Sequence, residues 1–315
     1  MSPKTFPPGV YAPSLTWFSD DKEQSIDWDT QSKHLTYLIE SGLTGIVIAG
    51  SNGEAVATTM EERLKLLSLT KELAVKHGRT DMPIVIGTVG QTTQEIIKQL
   101  HQSKAVGADF ALVLTPSYFH FAMNASAIQD FFTEVADASP IPILIYSWPL
   151  VTSGIEINSD ILSALGKHPN IAGTKLTCGG IAKVARVAAE FNPSDFCALA
   201  GHSEWLVPAL SIGGTGCISG FANLCPRSCV KIYQDYQQGR VKEAQALQKS
   251  VAQAEWWLNK TGINGTKWAV AKLLGYEESK CATRRPYPLF ADKSVQEAML
   301  AALQPMQTEE QKLKV

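Results

Sequence analysis

Short apolar runs alternate with amphipathic stretches along most of the chain. Residues 45–50 (GIVIAG) read as a buried strand, and 60–77 follow with helical spacing, Leu64, Leu67 and Leu73 among the apolar positions. The pattern repeats. Residues 83–87, 109–116, 142–149, 171–177, 196–201 and 216–221 have strand character. Helical stretches stand between them: 91–106, opened by a capping Gln-Thr-Thr, then 124–137, 158–167, a stretch to Glu190 and a short one before Gly216. A first strand is predicted over 9–18, which makes eight strand–helix units of roughly 25 residues each.

Strands this apolar are buried on both faces, as in a parallel sheet covered by helices. Eight such units predict an α/β fold, a closed (β/α)8 TIM barrel; a doubly wound open sheet is the alternative. From about residue 226 the pattern is only helical, with helices predicted over 230–238, 241–259, 264–274 and 293–303. The expected organisation is a barrel over 1–225, a C-terminal helical region over 226–306 packed on it, and a polar tail over 307–315 that frays.

The 28 basic and 30 acidic residues give a net charge of −2 with no basic block, which argues against nucleic acid as a partner. Charged residues are only 18% of the 315, fewer than the ~25% usual for globular chains, a hint of surface covered in an oligomer. The longest apolar runs are strand-sized, so no membrane span is expected. The start, Met1 to Thr5, lacks the apolar core of a signal peptide, and the end, Lys312 to Val315, matches no targeting signal, so a cytoplasmic location is expected. The six cysteines, Cys178, Cys197, Cys217, Cys225, Cys229 and Cys281, read as free thiols. Cys225 and Cys229 share a helix face, but no partner motif completes a zinc site. Of the six histidines only His120 and His202 fall near loops at the strands' carboxyl ends, and no two stand at ligand spacing, so no metal is expected.

Chemistry in such a barrel sits at the carboxyl ends of the strands. On IAGTKLT, Ile171, Gly173 and Lys175 share one face, and Gly173 leaves room beneath the lysine. If that face points inward, burial disfavours the ammonium, and a neutral amine can attack a carbonyl to form a Schiff base. The alternative is a strand-end lysine snorkelling to solvent. Tyr146 ends the preceding strand, close enough to reach Lys175 and shuttle a proton, or else packs as an amphipathic core tyrosine. Gly50-Ser51-Asn52-Gly53-Glu54 follows the second strand; its backbone can curl so that N–H groups hold a carboxylate, or it is an ordinary turn. Tyr118 follows the fourth strand, with a surface aromatic as the plain reading. The glycines of 211–216 precede the eighth strand, at the amino end, and read as turn and packing residues.

GSNGE at 50–54, GTVGQTTQEIIKQLHQSKAVGADFALVLTPSYF at 87–119, IYSWP at 145–149 and GTKLT at 173–177 come in an order and spacing that resemble the dihydrodipicolinate synthase/N-acetylneuraminate lyase family of pyruvate-dependent class I aldolases. The similarity runs from about Gly9 to about Leu274. The resemblance implies a (β/α)8 barrel with C-terminal helices, a homotetramer built from tight dimers or a homodimer, and no added cofactor. It matches Lys175 to the Schiff-base lysine and Tyr146 to the proton-relaying tyrosine. Ser51 and Asn52 match the pair that holds the pyruvate carboxylate, Tyr118 a tyrosine that reaches a neighbouring subunit's site, and Gly201 and Ile218 positions lining the pyruvate pocket. Asn52 stands where many members have a threonine, a variation also found in 4-hydroxy-2-oxoglutarate aldolases.

One departure bears on the substrate. The synthases place an arginine shortly after the relay tyrosine to bind their aldehyde's carboxylate, and no arginine occurs here between Arg79 and Arg186. A site without that bidentate partner binds a second carboxylate poorly. Trp148 and Thr152 suggest a different acceptor end. The aromatic-rich TPSYFHF and IYSWP are similar to fungal L-threo-3-deoxy-hexulosonate aldolases. The expected reaction is therefore cleavage of a 2-oxo-3-deoxy sugar acid to pyruvate and an aldehyde such as glyceraldehyde. The alternatives are a 4-hydroxy-2-oxoglutarate aldolase, a dihydrodipicolinate synthase condensing pyruvate with aspartate semialdehyde, and a non-catalytic protein that binds a 2-oxo acid.

Overall fold

The computed structural model describes residues 5–313. Met1 to Lys4, and Lys314 with Val315, read above for targeting signals, lie outside the described residues. Eight strands close into a parallel barrel in sequence order: β1 (Gly9–Pro13), β2 (Gly45–Ile48), β3 (Ile84–Thr88), β4 (Phe110–Leu114), β5 (Ile143–Ser147), β6 (Ile171–Leu176), β7 (Cys197–Ala200) and β8 (Gly216–Ile218). β8 pairs with β1, which completes the ring. The open-sheet alternative is thereby set aside.

The helices between strands are α1 (Trp28–Ile39), α2 (Met60–Lys76), α3 (Thr93–Ala105), α4 (Ala125–Ala138), α5 (Ser159–Leu165), α6 (Ile181–Glu190) and α7 (Leu206–Ser211). Local sequence sets where most of them start. Asp27, Thr92, Asn124 and Asn158 each accept a backbone N–H from the first turn, and Thr59 with Glu62 forms a reciprocal capping box. Two apolar layers result. Outward-facing strand residues such as Ile46, Ile84 and Ile143 pack under the helices, whereas Tyr11, Val47, Val85, Leu112, Leu144, Leu199 and Ile218 fill the barrel. Phe6 plugs its amino end, stacked on Tyr11 at 4.7 Å and edge-on to Phe110 at 4.9 Å.

The first strand is shorter than the 9–18 expected. Beyond Pro13 the chain turns over the rim, where Leu15 N–H donates to Asn223 Oδ1 rather than to a neighbouring strand. The C-terminal region holds α8 (Pro226–Gln237), α9 (Val241–Leu273) and α10 (Lys293–Lys312). The two helices expected over 241–259 and 264–274 are the two halves of α9, broken at Gly262, whose φ of 65° leaves the helical region. The tail expected to fray from residue 307 is instead helical to Lys312. Gln307 and Glu310 are buried there, and Glu310 accepts the N–H groups of Arg227 and Ser228 at 2.8 and 2.7 Å, capping α8. No helix is long and apolar enough to cross a membrane among the described residues.

Candidate active site

The register of the barrel places the lysine. Tyr146 of β5 pairs with Lys175 of β6, which pairs with Leu199 of β7; one layer below, Leu144 pairs with Gly173 and Gly173 with Cys197. Lys175 therefore points into the barrel and is 3% exposed. The space left by Gly173 is occupied by the neighbouring strand, since a Cβ there would overlap Cys197 Sγ and sit 2.5 Å from its carbonyl oxygen. Cys197 thus forms a tight floor beneath the lysine. Burial pushes the Lys175 ammonium down to about 7, with the Cys217 thiol acting the other way.

Lys175 Nζ lies 4.2 Å from the centre of the Tyr146 ring, and Trp148 stacks on that ring at 6.0 Å. Tyr146 is 3% exposed. Burial raises its phenol well above the ordinary value, and hydrogen bonding by the hydroxyls of Thr177 and Ser51 offsets part of this. Among the described residues Thr177 Oγ1 has no partner with full hydrogen-bond geometry, so its contact with Tyr146 is loose. A phenol so disfavoured as a phenolate is suited to pass a proton on as it accepts one, along a row of hydroxyls.

Ser51 and Asn52 lie in the turn after β2. Glu54 N–H donates to Ser51 O at 3.1 Å and Ala55 N–H to Gly50 O at 3.2 Å, which closes the turn. Asn52 fits because Gly220 has no side chain: a Cβ there would stand 2.8 Å from Asn52 Nδ2. The turn is anchored from behind. Glu54, itself at φ 53°, pairs with Lys267 of α9 at 2.7 Å and accepts Arg284 N–H at 2.8 Å. Both partners of that ion pair are essentially without solvent.

Ser51, Asn52, Tyr146, Lys175 and Gly201 line one cavity of about 280 Å³. Two site expectations fall outside it. Ile218 is buried within the barrel core, paired with Tyr11 of β1, and is absent from the cavity wall. Tyr118 is 75% exposed on the loop after β4, packed edge-on against Phe119, so its own chain does not bring it to the lysine. The plain reading of Tyr118 as a surface aromatic describes the single chain.

Sequence reading missed most of the rest of the wall. Leu258, Asn259, Gly262, Ile263 and Thr266 come from α9, and His202 from the end of β7. The sequence places His202 near the strands' carboxyl ends and Trp148 at the acceptor end, and both line the cavity; for α9 the one signal is the gap between the two helices predicted around 259–264, where the helix breaks at Gly262. The expected turn role of 211–216 agrees with Gly213 at φ 94° between α7 and β8, on the amino side. Cys225 and Cys229 are buried free thiols, and no cluster of three metal-ligating side chains occurs among the described residues.

Residues 7–305 match the Dihydrodipicolinate synthetase family. A probable 4-hydroxy-2-oxoglutarate aldolase, mitochondrial, of Emericella nidulans is 42% identical, with 91% of each chain covered. An L-threo-3-deoxy-hexylosonate aldolase of Hypocrea jecorina is 39% identical, over 88% of this chain and 90% of its own. The crystal structure of a dihydrodipicolinate synthase family protein from Coccidioides immitis superposes with a TM-score of 0.88 at 33% identity, covering all of both chains. An inward lysine beside a strand-paired tyrosine in a closed parallel barrel, and a match over nearly the whole length, lead to one assignment: the chain belongs to the dihydrodipicolinate synthetase family.

Proposed function

We propose that the protein is a class I aldolase that cleaves a 2-oxo-3-deoxy sugar acid, L-threo-3-deoxy-hexulosonate, to pyruvate and glyceraldehyde. The observation that carries this reading is the buried Lys175 amine, held near neutrality against the Tyr146 ring at the base of the cavity. In the proposed sequence Lys175 Nζ attacks the 2-oxo carbon, and Tyr146 gives its phenolic proton to the departing hydroxyl, which leaves as water with a protonated imine formed and Tyr146 left as phenolate. Ser51 and Asn52 hold the adjacent carboxylate. The Tyr146 phenolate left by that step, held by the hydroxyls of Ser51 and Thr177, takes the proton of the C4 hydroxyl as the C3–C4 bond breaks. The bonding pair moves to the iminium nitrogen and leaves an enamine. Protonation at C3 and addition of water return pyruvate and the free amine.

A second reading, cleavage of 4-hydroxy-2-oxoglutarate, is favoured by the 42% identical relative of that name. Condensation with aspartate semialdehyde is disfavoured by the absence of arginine from the cavity wall. A non-catalytic 2-oxo acid binder would have little use for a desolvated lysine beside a buried tyrosine.

Incubation with pyruvate and borohydride, followed by intact-mass and peptide analysis, tests the chemistry. One pyruvyl adduct on Lys175 is expected, with turnover of the Lys175→Ala variant reduced at least about a thousandfold in a folded protein. A folded wild type that gives no adduct would show the aldolase reading to be wrong.

The assembly is proposed to be a homotetramer or homodimer in which Tyr118 reaches a neighbouring subunit's cavity. The support is a group of exposed apolar side chains at the carboxyl rim: Tyr118, Phe119 and Phe121 after β4, and Leu150, 82% exposed, after β5.

A further inference from the structure

The cavity carries a polar wall that the cleavage chemistry does not use. His202, at the end of β7, and Asn259, on α9, both line it. Behind His202 lies Glu255, 1% exposed, its Oε1 3.6 Å from His202 Nδ1. That distance is longer than a hydrogen bond. Glu255 is fixed by other donors: Ser203 N–H at 3.3 Å, Ser203 Oγ at 2.6 Å and Ser219 Oγ at 2.8 Å. The imidazole thus turns its Nδ1 edge toward a rigid carboxylate, while the residue itself lines the cavity. A second acid, Glu204, is half-buried; burial raises its pKa, as does the charge of Glu255, whereas His202 and the neighbouring Asn259 side chain lower it. Among the described residues Lys175 is the one lysine lining the cavity, and no arginine lines it.

Two acids therefore stand close to the two polar groups offered to the aldehyde half of the substrate, Glu255 against His202 and Glu204 beside Asn259. A hydroxyl both donates and accepts, so it can bond to His202 and Asn259 whatever their orientation. A carboxylate only accepts, and here it would be placed beside two acids with no guanidinium to neutralise it. We infer that His202 and Asn259 form a hydroxyl-reading subsite that favours a polyhydroxylated aldehyde half over one ending in a carboxylate, with Glu255 as the positioning residue for His202. The inference rests on the aldolase reading above and chooses between its two substrates.

The test is the ratio of kcat/KM for L-threo-3-deoxy-hexulosonate to that for 4-hydroxy-2-oxoglutarate, with pyruvate–borohydride trapping run in parallel. The wild type should favour the sugar acid. His202→Ala should lower the ratio at least about tenfold, the worth of one or two hydrogen bonds, mainly through KM for the sugar acid. Glu204→Gln, at a half-exposed position that tolerates the isosteric change, should lower the ratio by relieving repulsion of the carboxylate substrate. It decides the matter should His202→Ala misfold. A wild type that traps pyruvate yet prefers 4-hydroxy-2-oxoglutarate would overturn the inference and leave the aldolase standing. So would a ratio that moves less than about twofold in both variants. Failure to trap pyruvate at all would instead remove the aldolase reading itself.

Discussion

Desolvation, rather than a neighbouring base, is what lowers the pKa of the Lys175 ammonium and suits it to the nucleophilic role proposed above. With burial as the largest influence bringing the ammonium down to about 7, Lys175 is available as a neutral amine near physiological pH, whereas an exposed lysine would be almost wholly charged. The sign of the pH dependence follows. The amine attacks only when unprotonated, so kcat/KM should rise as pH increases through about 7 and level off above it. A profile that stays flat from about pH 6 to 8 would contradict a rate governed by this amine. Not every buried titratable group carries such meaning. His34 is pushed down to about 4 by burial, but its ring nitrogens are spent on Asn223 and Tyr276 at 3.0 and 3.1 Å, which ties α1 to the rim. Both residues are desolvated; only Lys175 faces a cavity.

At the scale of elements, the turn proposed to hold the substrate carboxylate depends on a helix more than 200 residues further along the chain. The turn after β2 holds Ser51 and Asn52, and Glu54 of the same turn reaches Lys267 in the second half of α9. Taking both charges out of water is costly, and the pair is sustained by its 2.7 Å contact and by the Arg284 N–H on the other carboxylate oxygen. Lys267→Met would leave Glu54 buried beside one backbone donor. Loss of about 3–5 kcal/mol in denaturant unfolding is expected, with a higher KM for pyruvate in whatever remains folded. Removing the second charge as well, in Glu54→Gln/Lys267→Met, should recover part of that loss. Equal stability of the single variant and the wild type would mean that the pair does not anchor the turn. The kink at Gly262 falls between Leu258 and Asn259, which line the cavity, and Lys267, which pairs with Glu54.

For the whole molecule, the closed barrel brings residues from β2, β5, β6 and β7 to one rim, and the C-terminal helices complete the cavity. The exposed aromatic group around Tyr118 stays open in the single chain. Sedimentation should therefore find dimers or tetramers, and Tyr118→Asp, which places a charge in that patch, should shift the population toward smaller species while lowering activity. A wild type that sediments as a monomer with full activity would remove any role for Tyr118 across an interface.

The barrel was legible in the sequence because its strands are buried on both faces, and continuous apolar runs separated by capped helices leave few other packings. The lysine and tyrosine were legible as a pair because period-two alternation puts Lys175 over Gly173 and Tyr146 over Leu144, and consecutive parallel strands are neighbours. Ile218 and the tail from residue 307 went the other way. Inward orientation at the end of β8 does not say whether a residue meets the cavity or the core, and polar composition does not reveal that Glu310 caps α8. His202, Asn259, Glu255 and Lys267 carry no local signal of their roles either. Their partners lie far away in sequence, and only the docking of α9 on the barrel, with its break at Gly262, brings them to the site. Periodicity and capping act over a few residues and so can be read from the chain alone; the electrostatics of the cavity depend on which distant charges share one dry space, and that is decided by tertiary packing.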